Sequence, residues 1–590
     1  MKRGVLLPVL IQDPAVAGET EARSIVHPVV VKDSAGFNEG PACRRVAMVD
    51  LDFHTGKLRP SAKFDPRGTP YRDIATYKVA IPTKRGTRSM PWSRGSAKGT
   101  DVGELGSLPL DDTFMKVSVF GTVLRTIGLV QDPAVLGREI EWAFSGQQLL
   151  VVPRAAEMDN AFYHRESRSL QFYYGGSLHG STIFSGLSQD IVAHETAHAI
   201  IDGIAPDLYD AISPESLAIH EGLADLTAAL LSMRNRELTH KPGQRTSTKE
   251  FLQSSRFSRI AEEFGRWRGH GDALRDVCNT RTMDPYAADE SRVDQTSPHS
   301  LSEVLSGLLF VVFKALFSAA PRDASVKRKV NRENSSNFEA IRYRLAYACN
   351  RTLGLAYRGL DWLPRGDASF ADLIEAMIAA DQEFFPNDPR VRKVLRKEAR
   401  LRGISLTKTK QLFRKLQVPS DEPTLRTFLE AHRKDFDIPS DAEVTITVRK
   451  MHIYQPPLTP FSTSESFDLK PNMSKFTSEK TEHNLIKFTW LQKESNDLEG
   501  WGTKRRYRSG ATVVANMSGA VQTVLQLQHT PMTMSLRSGF LQKMLNGESA
   551  TLQIGPDGVP LQRGLRANLV NETLSITGAM QALHVVGEFE

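Results

Sequence analysis

The stretch Ser185–Gly203, which has the sequence SGLSQDIVAHETAHAIIDG, decides how the rest of the chain is interpreted. Its residues are apolar around almost the whole circumference of a helix, which is typical of a helix buried on all sides. Ser188 is a residue type that caps the start of helices, and Gly203 is a residue type that ends them. The pattern therefore predicts a buried helix between Ser188 and Gly203.

This helix contains the pattern His-Glu-x-x-His, formed by His194, Glu195 and His198. Positions four apart lie on one face of a helix, so the two histidines can bind one metal ion together. Glu195 can reach a water molecule on that ion, as a general base must. The alternative is a buried helix whose histidines bond only to backbone or carboxylate groups.

A second helix, expected to begin at Ser213-Pro214, carries Glu221 and Asp225, which are again four residues apart. Catalytic zinc is often held by two histidines, one carboxylate and a water molecule, so Glu221 is the expected third ligand. Asp225 can accept a hydrogen bond from the second ring nitrogen of a zinc-bound histidine. The apolar residues around this pair disfavour the alternative of a solvated helix face, because buried carboxylates need partners.

The organisation of the chain indicates an α+β protein. Residues 1–110 consist of short β-branched runs separated by Gly, Pro and Asp, which predicts a β-rich N-terminal region. Residues 406–590 are more polar and contain alternating runs, so we predict an accessory C-terminal domain with β-structure. Residues 111–405 carry predicted strands at Gln148–Val152 and Ser169–Tyr174 and helical patterns near 114–129, 188–202, 214–233, 299–318, 338–355 and 370–383.

Further segments follow one another in an order that is known from a protein family. They are Asn160-Ala161-Phe162, the run FYYGG from Phe172, Tyr209 eleven residues after His198, HEGLADL from His220, Gly271-Asp272-Ala273-Leu274-Arg275, and Asp294 with His299 five residues later. Together with the His-Glu-x-x-His helix, they make residues 114–400 resemble the thermolysin-like zinc metallopeptidases, which are gluzincins.

The resemblance implies a thermolysin-like fold, in which the β-rich N-terminal part and a mainly helical second lobe enclose the zinc cleft. It implies an endopeptidase with a polypeptide substrate and one catalytic Zn²⁺ ion, held by His194, His198 and Glu221. The remaining roles that it implies are substrate binding for Asn160, Ala161 and Arg275, oxyanion stabilisation for Tyr209 and His299, orientation of His299 by Asp294, and pocket lining by Ile191 and Leu274.

The sequence also departs from the family pattern. Asp190 falls where the family has a calcium ligand, but Ser232 stands where a second carboxylate is expected, so structural calcium is not supported. The gap from His198 to Glu221 is longer than usual, which predicts a loop insertion after Asp210. The region before 110 is short for the family's pro-segment and the N-terminus lacks a convincing signal peptide, so a cytoplasmic location is favoured, with secretion by another route as the alternative.

The composition leaves other functions open. A net charge of +7 over 590 residues is modest, and three cysteines cannot form a closed disulfide framework. No apolar run is long enough to predict a membrane segment. The basic clusters Arg390–Lys415 and Lys504–Arg508 are interpreted as solvated surfaces, although binding of nucleic acid or another polyanion by the C-terminal domain is an alternative. A catalytically silent gluzincin scaffold that only binds partners is a second alternative.

Overall fold

The computed structural model describes the segments that carry the motifs named above. The described residues are 4–13, 26–32, 36–66, 74–83, 86–89, 112–178, 181–235, 238–239, 255–268, 272–319, 337–406, 416–456, 466–467, 469, 480–493, 504–545, 553–554, 560–561, 566–570 and 573–577. Both predicted domain boundaries adjoin segments outside this description, and Gly271 of the resemblance lies outside it as well.

The strands fall mainly in the first and last thirds of the chain. They are β1 (Gly4–Leu10), β2 (Val26–Val31), β3 (Val46–Met48), β4 (Phe64–Asp65), β5 (Ile74–Tyr77), β6 (Ala80–Thr83), β7 (Gly86–Ser89), β8 (Leu149–Val152), β9 (Ala161–His164), β10 (Ser169–Phe172), β11 (Tyr174–Leu178), β12 (Ser181–Phe184), β13 (Arg259–Ile260), β14 (Arg275–Asp276), β15 (Val444–Ile453), β16 (Ser466–Phe467), β17 (Thr481–Lys493), β18 (Lys504–Asn516), β19 (Val521–Gln526), β20 (Gln553–Ile554), β21 (Pro560–Leu561), β22 (Arg566–Val570) and β23 (Thr573–Thr577).

The helices dominate the middle of the chain. They are α1 (Asp112–Gln131), α2 (Gln189–Ile204), α3 (Asp207–Asp210), α4 (Pro214–Met233), α5 (Glu262–Arg268), α6 (Pro298–Ser318), α7 (Asn337–Trp362), α8 (Phe370–Phe384), α9 (Arg390–Leu401), α10 (Glu422–His432) and α11 (Pro531–Leu545). The α+β class is therefore confirmed, and so are the helices predicted near 114–129, 188–202, 214–233, 299–318, 338–355 and 370–383.

Two sheets and a group of helices place the predicted site. One sheet has the strand order β16-β2-β1-β5-β4, and the other has the order β3-β8-β10-β9, so β9 forms an edge of its sheet. Helix α1 packs against β1 on one side and against α2 on the other. Helix α4 packs against both α2 and α6. The helix with the two histidines thus lies between a sheet layer and a helical layer.

Helix α2 ends at Ile204, two residues beyond the predicted 188–202. Ser188 does cap its start, by accepting a hydrogen bond from the N–H of Ile191 at 3.4 Å. Gly203 lies within the helix, however, and the capping residue is Ala205. A Cβ atom on Gly203 would lie 2.0 Å from the carbonyl oxygen of Glu141. Glycine is therefore required at this position for a close approach of two backbone segments, and not for a helix end.

The C-terminal segment forms a sheet of its own, but it also joins the main core. Strands β15, β17, β18 and β19 are antiparallel neighbours, and this sheet packs against α10 through an apolar core. The short strand β16 pairs with β2 of the N-terminal sheet. Met451, Tyr454, Leu485 and Phe540 are buried in the main core. Described residues after 406 thus contribute to a core built by the rest of the chain, while the division into domains stays a prediction.

Two helices among the described residues are long and apolar enough to cross a membrane by length and composition, namely Asp112–Gln131 and Pro298–Ser318. Within the most apolar windows of these helices, 94% and 72% of the residues are buried inside the protein. Their apolar character is accounted for by packing against α2 and β1 in one case and against α4 in the other.

Candidate metal centre

The three side chains expected to hold a metal ion meet between α2 and α4. The Nε2 atoms of His194 and His198 lie 2.9 Å apart. The Glu221 carboxylate lies 3.5 Å from Nε2 of His194 and 3.4 Å from Nε2 of His198. His198 and Glu221 are fully buried, whereas His194 retains a small exposed fraction of 8%. His194, Glu195 and His198 form a group whose ligand atoms lie close enough to hold a metal ion.

Glu195 points from α2 towards the edge strand β9. Its Oε2 accepts a hydrogen bond from the backbone N–H of Tyr163 at 3.0 Å. Only 2% of the residue is exposed, and it lines a cleft together with His194. The carboxylate therefore stands between the histidine pair and the strand along which an extended peptide could pair.

Two charged residues surround the ligand cluster. Asp225 Oδ1 lies 2.9 Å from Nδ1 of His194. Arg275 Nη1 donates hydrogen bonds to Glu221 Oε2 at 3.1 Å and to Asp225 Oδ1 at 3.0 Å. Burial raises the pKa of Asp225, but Arg275 and His194 outweigh it and hold that pKa below its usual range. The carboxylate is thus anionic at neutral pH and can orient the His194 ring.

The local charge favours a cation at the imidazoles. Burial lowers the pKa of His194, but the neighbouring carboxylates of Asp225 and Glu221 outweigh it and raise this pKa to about 10. A field that stabilises a proton on the ring also stabilises a metal ion at the same nitrogen, because both are positive charges that bind one lone pair. The surroundings of His194 therefore suit a cation.

His220 is a site residue to which the sequence analysis gave no role. Its Nδ1 lies 3.3 Å from Nδ1 of His198, and the two rings are stacked with centroids 5.6 Å apart. Since Nε2 of His198 faces the ligand cluster, a partner at Nδ1 fixes the orientation of the ring. The signal in the sequence was a polar residue on the buried helix α4, directly before Glu221.

His299 lies beside the cluster, and the hydrogen bonds described for the Asp294 carboxylate come from Thr296. His299 Nε2 lies 3.4 Å from Glu221 Oε2, and the side chain is 17% exposed. Asp294 accepts hydrogen bonds from the backbone N–H of Thr296 at 2.9 Å and from its hydroxyl at 2.7 Å. An aspartate two residues before a hydroxyl residue forms such a local turn readily. The hydrogen bond from His299 to Asp294 that the resemblance implies stays a prediction.

Tyr209 is not among the residues described as lining the cleft, and its ring lies at the C-terminal end of α2, edge-on to His220. Its ring is covered by the guanidinium of Arg165 at 4.2 Å and contacts Tyr163 edge-on. Arg165 also donates to Asp202 at 2.9 Å, and the Tyr163 hydroxyl donates to Asp202 at 2.8 Å. The short helix α3 follows α2 and carries Tyr209. The structure thus places Tyr209 in a group that ties β9 to α2, and not among the residues that line the cleft.

A cleft of about 400 Å³ opens beside the ligand cluster. Asn160 and Ala161, at the start of β9, line one wall, as the resemblance implies. Asn160 Oδ1 accepts a hydrogen bond from the backbone N–H of Ala161 at 2.8 Å, which fixes the side chain at the strand end. The apolar lining consists of Ala161, Ile191, Ile260, Ala261, Phe264 and Leu274. Of these, Ile191 and Leu274 were expected from the sequence, whereas the residues from β13 to α5 were not.

Asp190, which stands where the family has a calcium ligand, is hydrogen-bonded to a serine hydroxyl. The hydroxyl of Ser232 donates to Asp190 Oδ1 at 2.7 Å. Burial, assisted by the nearby Asp13 and by Glu262, raises the pKa of Asp190 to about 7. Asp190 thus has a hydroxyl donor where the resemblance implies a second carboxylate.

Comparisons with known proteins add little to this geometry. No family model and no curated protein matches the chain. Among the solved structures that do match is the precursor of protealysin, a metalloproteinase from Serratia proteamaculans. It has 13% sequence identity, the match covers 63% of this chain and 89% of that chain, and the TM-score is 0.35. A likeness this low carries no functional conclusion, so function has to be inferred from the site.

Proposed function

We propose that this chain is a zinc-dependent endopeptidase that hydrolyses peptide bonds with Glu195 as its general base. The observation that carries the proposal is the convergence of His194, His198 and Glu221 at the side of a cleft that Glu195 lines. A structural metal site is closed by four protein ligands, whereas a catalytic site keeps one position for water or substrate. Three ligands beside a cleft support the catalytic type.

The donor set fits zinc. Two imidazole nitrogens and one carboxylate oxygen are a known ligand set of catalytic zinc. Ligand atoms about 2.1 Å from one tetrahedral ion lie about 3.4 Å from each other. The separations among His194, His198 and Glu221 are 2.9, 3.4 and 3.5 Å. The partners of the ligands, Asp225 for His194 and His220 for His198, are of the kind that fixes ring orientation.

A zinc ion bound there supplies a Lewis acid and lowers the pKa of a bound water towards about 7. Glu195 accepts the proton of the attacking water and then passes it to the leaving amine. His299 donates a hydrogen bond to the oxyanion that develops at the scissile carbonyl. The role of Tyr209 as a second donor to this oxyanion stays a prediction from the resemblance.

The cleft supports a polypeptide substrate. An extended peptide can add to the free edge of β9 through main-chain hydrogen bonds. Asn160 and Ala161 stand at the start of this edge, and Arg275 lines the cleft opposite. The residue after the scissile bond is proposed to be apolar, because the lining contains Ile191, Phe264 and Leu274.

The alternative functions have less support. A silent scaffold would not need a carboxylate at Glu195 next to the histidine pair and a cleft. Within the basic cluster Lys504–Arg508, Arg508 Nη1 donates to Asp207 Oδ1 at 2.8 Å, so part of this charge serves an internal contact. Polyanion binding by the remaining basic residues stays a prediction.

Replacing Glu195 tests the proposed function. Glu195→Gln keeps the size of the side chain but removes the base, so peptide hydrolysis should fall about 100- to 10,000-fold while zinc content stays near one per chain. The matched control is Glu443→Gln, at an exposed position of the C-terminal segment. Zinc is measured by atomic absorption and hydrolysis with a fluorogenic peptide library. Wild-type rates in the Gln variant, or a wild-type protein without zinc, would exclude the proposal.

A further inference from the structure

The C-terminal segment docks on the helical part of the chain with complementary charge. The cations belong to the C-terminal segment, and the carboxylates belong to the part that carries the metal centre. The pairs are Arg449 with Asp361 at 2.5 Å, Arg508 with Asp207 at 2.8 Å, and Arg537 with Asp367 at 2.5 Å. Such an arrangement fixes the orientation of a docked unit, because like charges would oppose any other placement.

Helix α11 is a part of this segment that contacts one of the helices around the metal centre. It packs against α4, the helix that carries Glu221. Phe540 and Leu541 anchor it in the main core, with 4% and 0% of their surface exposed. Arg537 is buried on the same helix and lies over the ring of Tyr507 at 4.6 Å. The position of α11 relative to the site is thus determined by packing as well as by charge.

Near the end of α11, Lys543 reaches the loop that precedes α6. Its Nζ donates a hydrogen bond to the Thr296 hydroxyl at 2.8 Å. The same hydroxyl donates to Asp294 Oδ1 at 2.7 Å, and the Thr296 N–H donates to that oxygen at 2.9 Å. Two successive hydrogen bonds thus connect the Lys543 ammonium group, through the Thr296 hydroxyl, to the Asp294 carboxylate. The negative charge of Asp294 balances the positive charge of Lys543.

This loop leads directly into the first turn of α6. The backbone N–H of Asp294 donates to the Ser300 hydroxyl at 3.1 Å, which joins the loop to that turn. Ser297 caps the helix by accepting from the N–H of Ser300. His299 lies between these residues, with Nε2 3.4 Å from Glu221. A shift of the loop would therefore move His299 relative to the metal ligands.

We propose that Lys543 is a positioning residue for His299, so that the docked C-terminal segment completes the peptidase site. The inference rests on the proposed function, since it gives His299 a role in the reaction. It explains the position of Asp294 as well. Through Thr296, the carboxylate holds the loop near a lysine that lies almost 250 residues further along the chain, the separation from Thr296 being 247.

The test compares Lys543→Met, which removes the ammonium group, with Lys543→Arg, which retains a donor and the charge. Lys434→Met, at an exposed lysine of the same segment, is the matched control. In the Met variant we expect kcat to fall about tenfold with KM within about twofold, because a displaced group loses transition-state contacts before it loses substrate binding. The Arg variant should recover most of kcat, and the control should equal wild type.

A second measurement does not depend on activity. Hydrogen–deuterium exchange of the peptide covering residues 294–300 should be faster in Lys543→Met than in wild type, in Lys543→Arg or in Lys434→Met. If exchange and kcat both match wild type, the inference is wrong. If exchange rises but kcat does not change, the contact is only structural and the positioning role is excluded. A wild-type protein without peptidase activity would remove the proposed function, whereas the exchange data would still report on the contact.

Discussion

Replacing Asp225 by asparagine should weaken zinc binding while leaving every proposed ligand in place. The carboxylate lies behind the His194 ring, with Oδ1 2.9 Å from Nδ1. It holds the ring in one orientation and makes Nε2 a stronger donor, because a negative partner stabilises positive charge on the imidazole. Asparagine retains an acceptor oxygen but loses that charge. Because the two side chains have nearly the same shape, the substitution tests what the charge of Asp225 contributes to zinc affinity.

The structure points to a large effect. Outer partners of zinc-bound histidines typically contribute about 10- to 100-fold in metal affinity, which is about 1.4 to 2.7 kcal/mol. Asp225 is 2% exposed, so solvent hardly screens its charge. It also shares Arg275 with Glu221. In the variant the guanidinium would pair with Glu221 alone and draw electron density from the carboxylate ligand. We therefore expect a loss of about 100-fold, the upper end of this range.

The assay is competition for zinc with a fluorescent chelator at pH 7.5, with thermal unfolding of the metal-free proteins to show that the variant is folded. Asp441→Asn is the control, because Asp441 is an exposed carboxylate whose described partner, Lys493, is also exposed. A zinc dissociation constant for Asp225→Asn within about threefold of wild type, in a folded protein, would refute the reasoning. It would mean that the His194–Asp225 contact does not contribute to metal binding.

Two further predictions concern stability. Gly203→Ala should lower the free energy of unfolding by about 3 kcal/mol, because its Cβ would lie 2.0 Å from the Glu141 carbonyl oxygen. The control is Gly539→Ala, whose Cβ meets nothing within 4 Å and should not destabilise the protein. Equal melting temperatures of the two variants would contradict the prediction. Burial, together with the charge of Asp372, raises the pKa of Glu215 in the folded protein to about 7. Between about pH 4.5 and 7 the folded protein keeps a proton on Glu215 that the unfolded chain has lost, so the free energy of unfolding falls as the pH rises through this range. Glu215→Gln should then gain about 3 kcal/mol at pH 8 and nothing at pH 4, which urea unfolding at both pH values would check.

The parts of the fold that follow from local pattern were predictable. Helix α4 begins at Pro214 and ends at Met233, as its apolar periodicity and the Ser-Pro start indicate. The approach of His194, His198 and Glu221 was predictable because residues four apart share a helix face and because buried polar groups need partners. The end of α2 was misplaced at Gly203, since a helix-ending glycine and a glycine under a neighbouring backbone look alike in a sequence.

The parts that depend on distant contacts were not predictable. The resemblance gives Tyr209 a role from its distance along the chain, but only the fold shows that its ring packs under Arg165 and against His220. The composition change near 405 indicates a separate domain. In the structure Gln131 donates a hydrogen bond to the Leu469 carbonyl, 338 residues away. Lys543 and Thr296 are joined over a similarly long separation. No local pattern records which partner a buried polar group finds across such distances.

The charges around the metal centre show why Arg275 can serve two purposes at once. Three buried carboxylates, Glu195, Glu221 and Asp225, lie near the two imidazoles, and such a concentration of negative charge requires a cation even beside a metal ion. The hydrogen bonds described for Arg275 to Glu221 and Asp225 all leave from Nη1. A guanidinium has five N–H donors, so Nη2 and Nε still have N–H groups to offer. Since Arg275 also lines the cleft, those groups can donate to the polypeptide substrate whose binding the resemblance implies for this residue. A lysine could balance the same charge, but it could not present a second, fixed set of donors to the substrate.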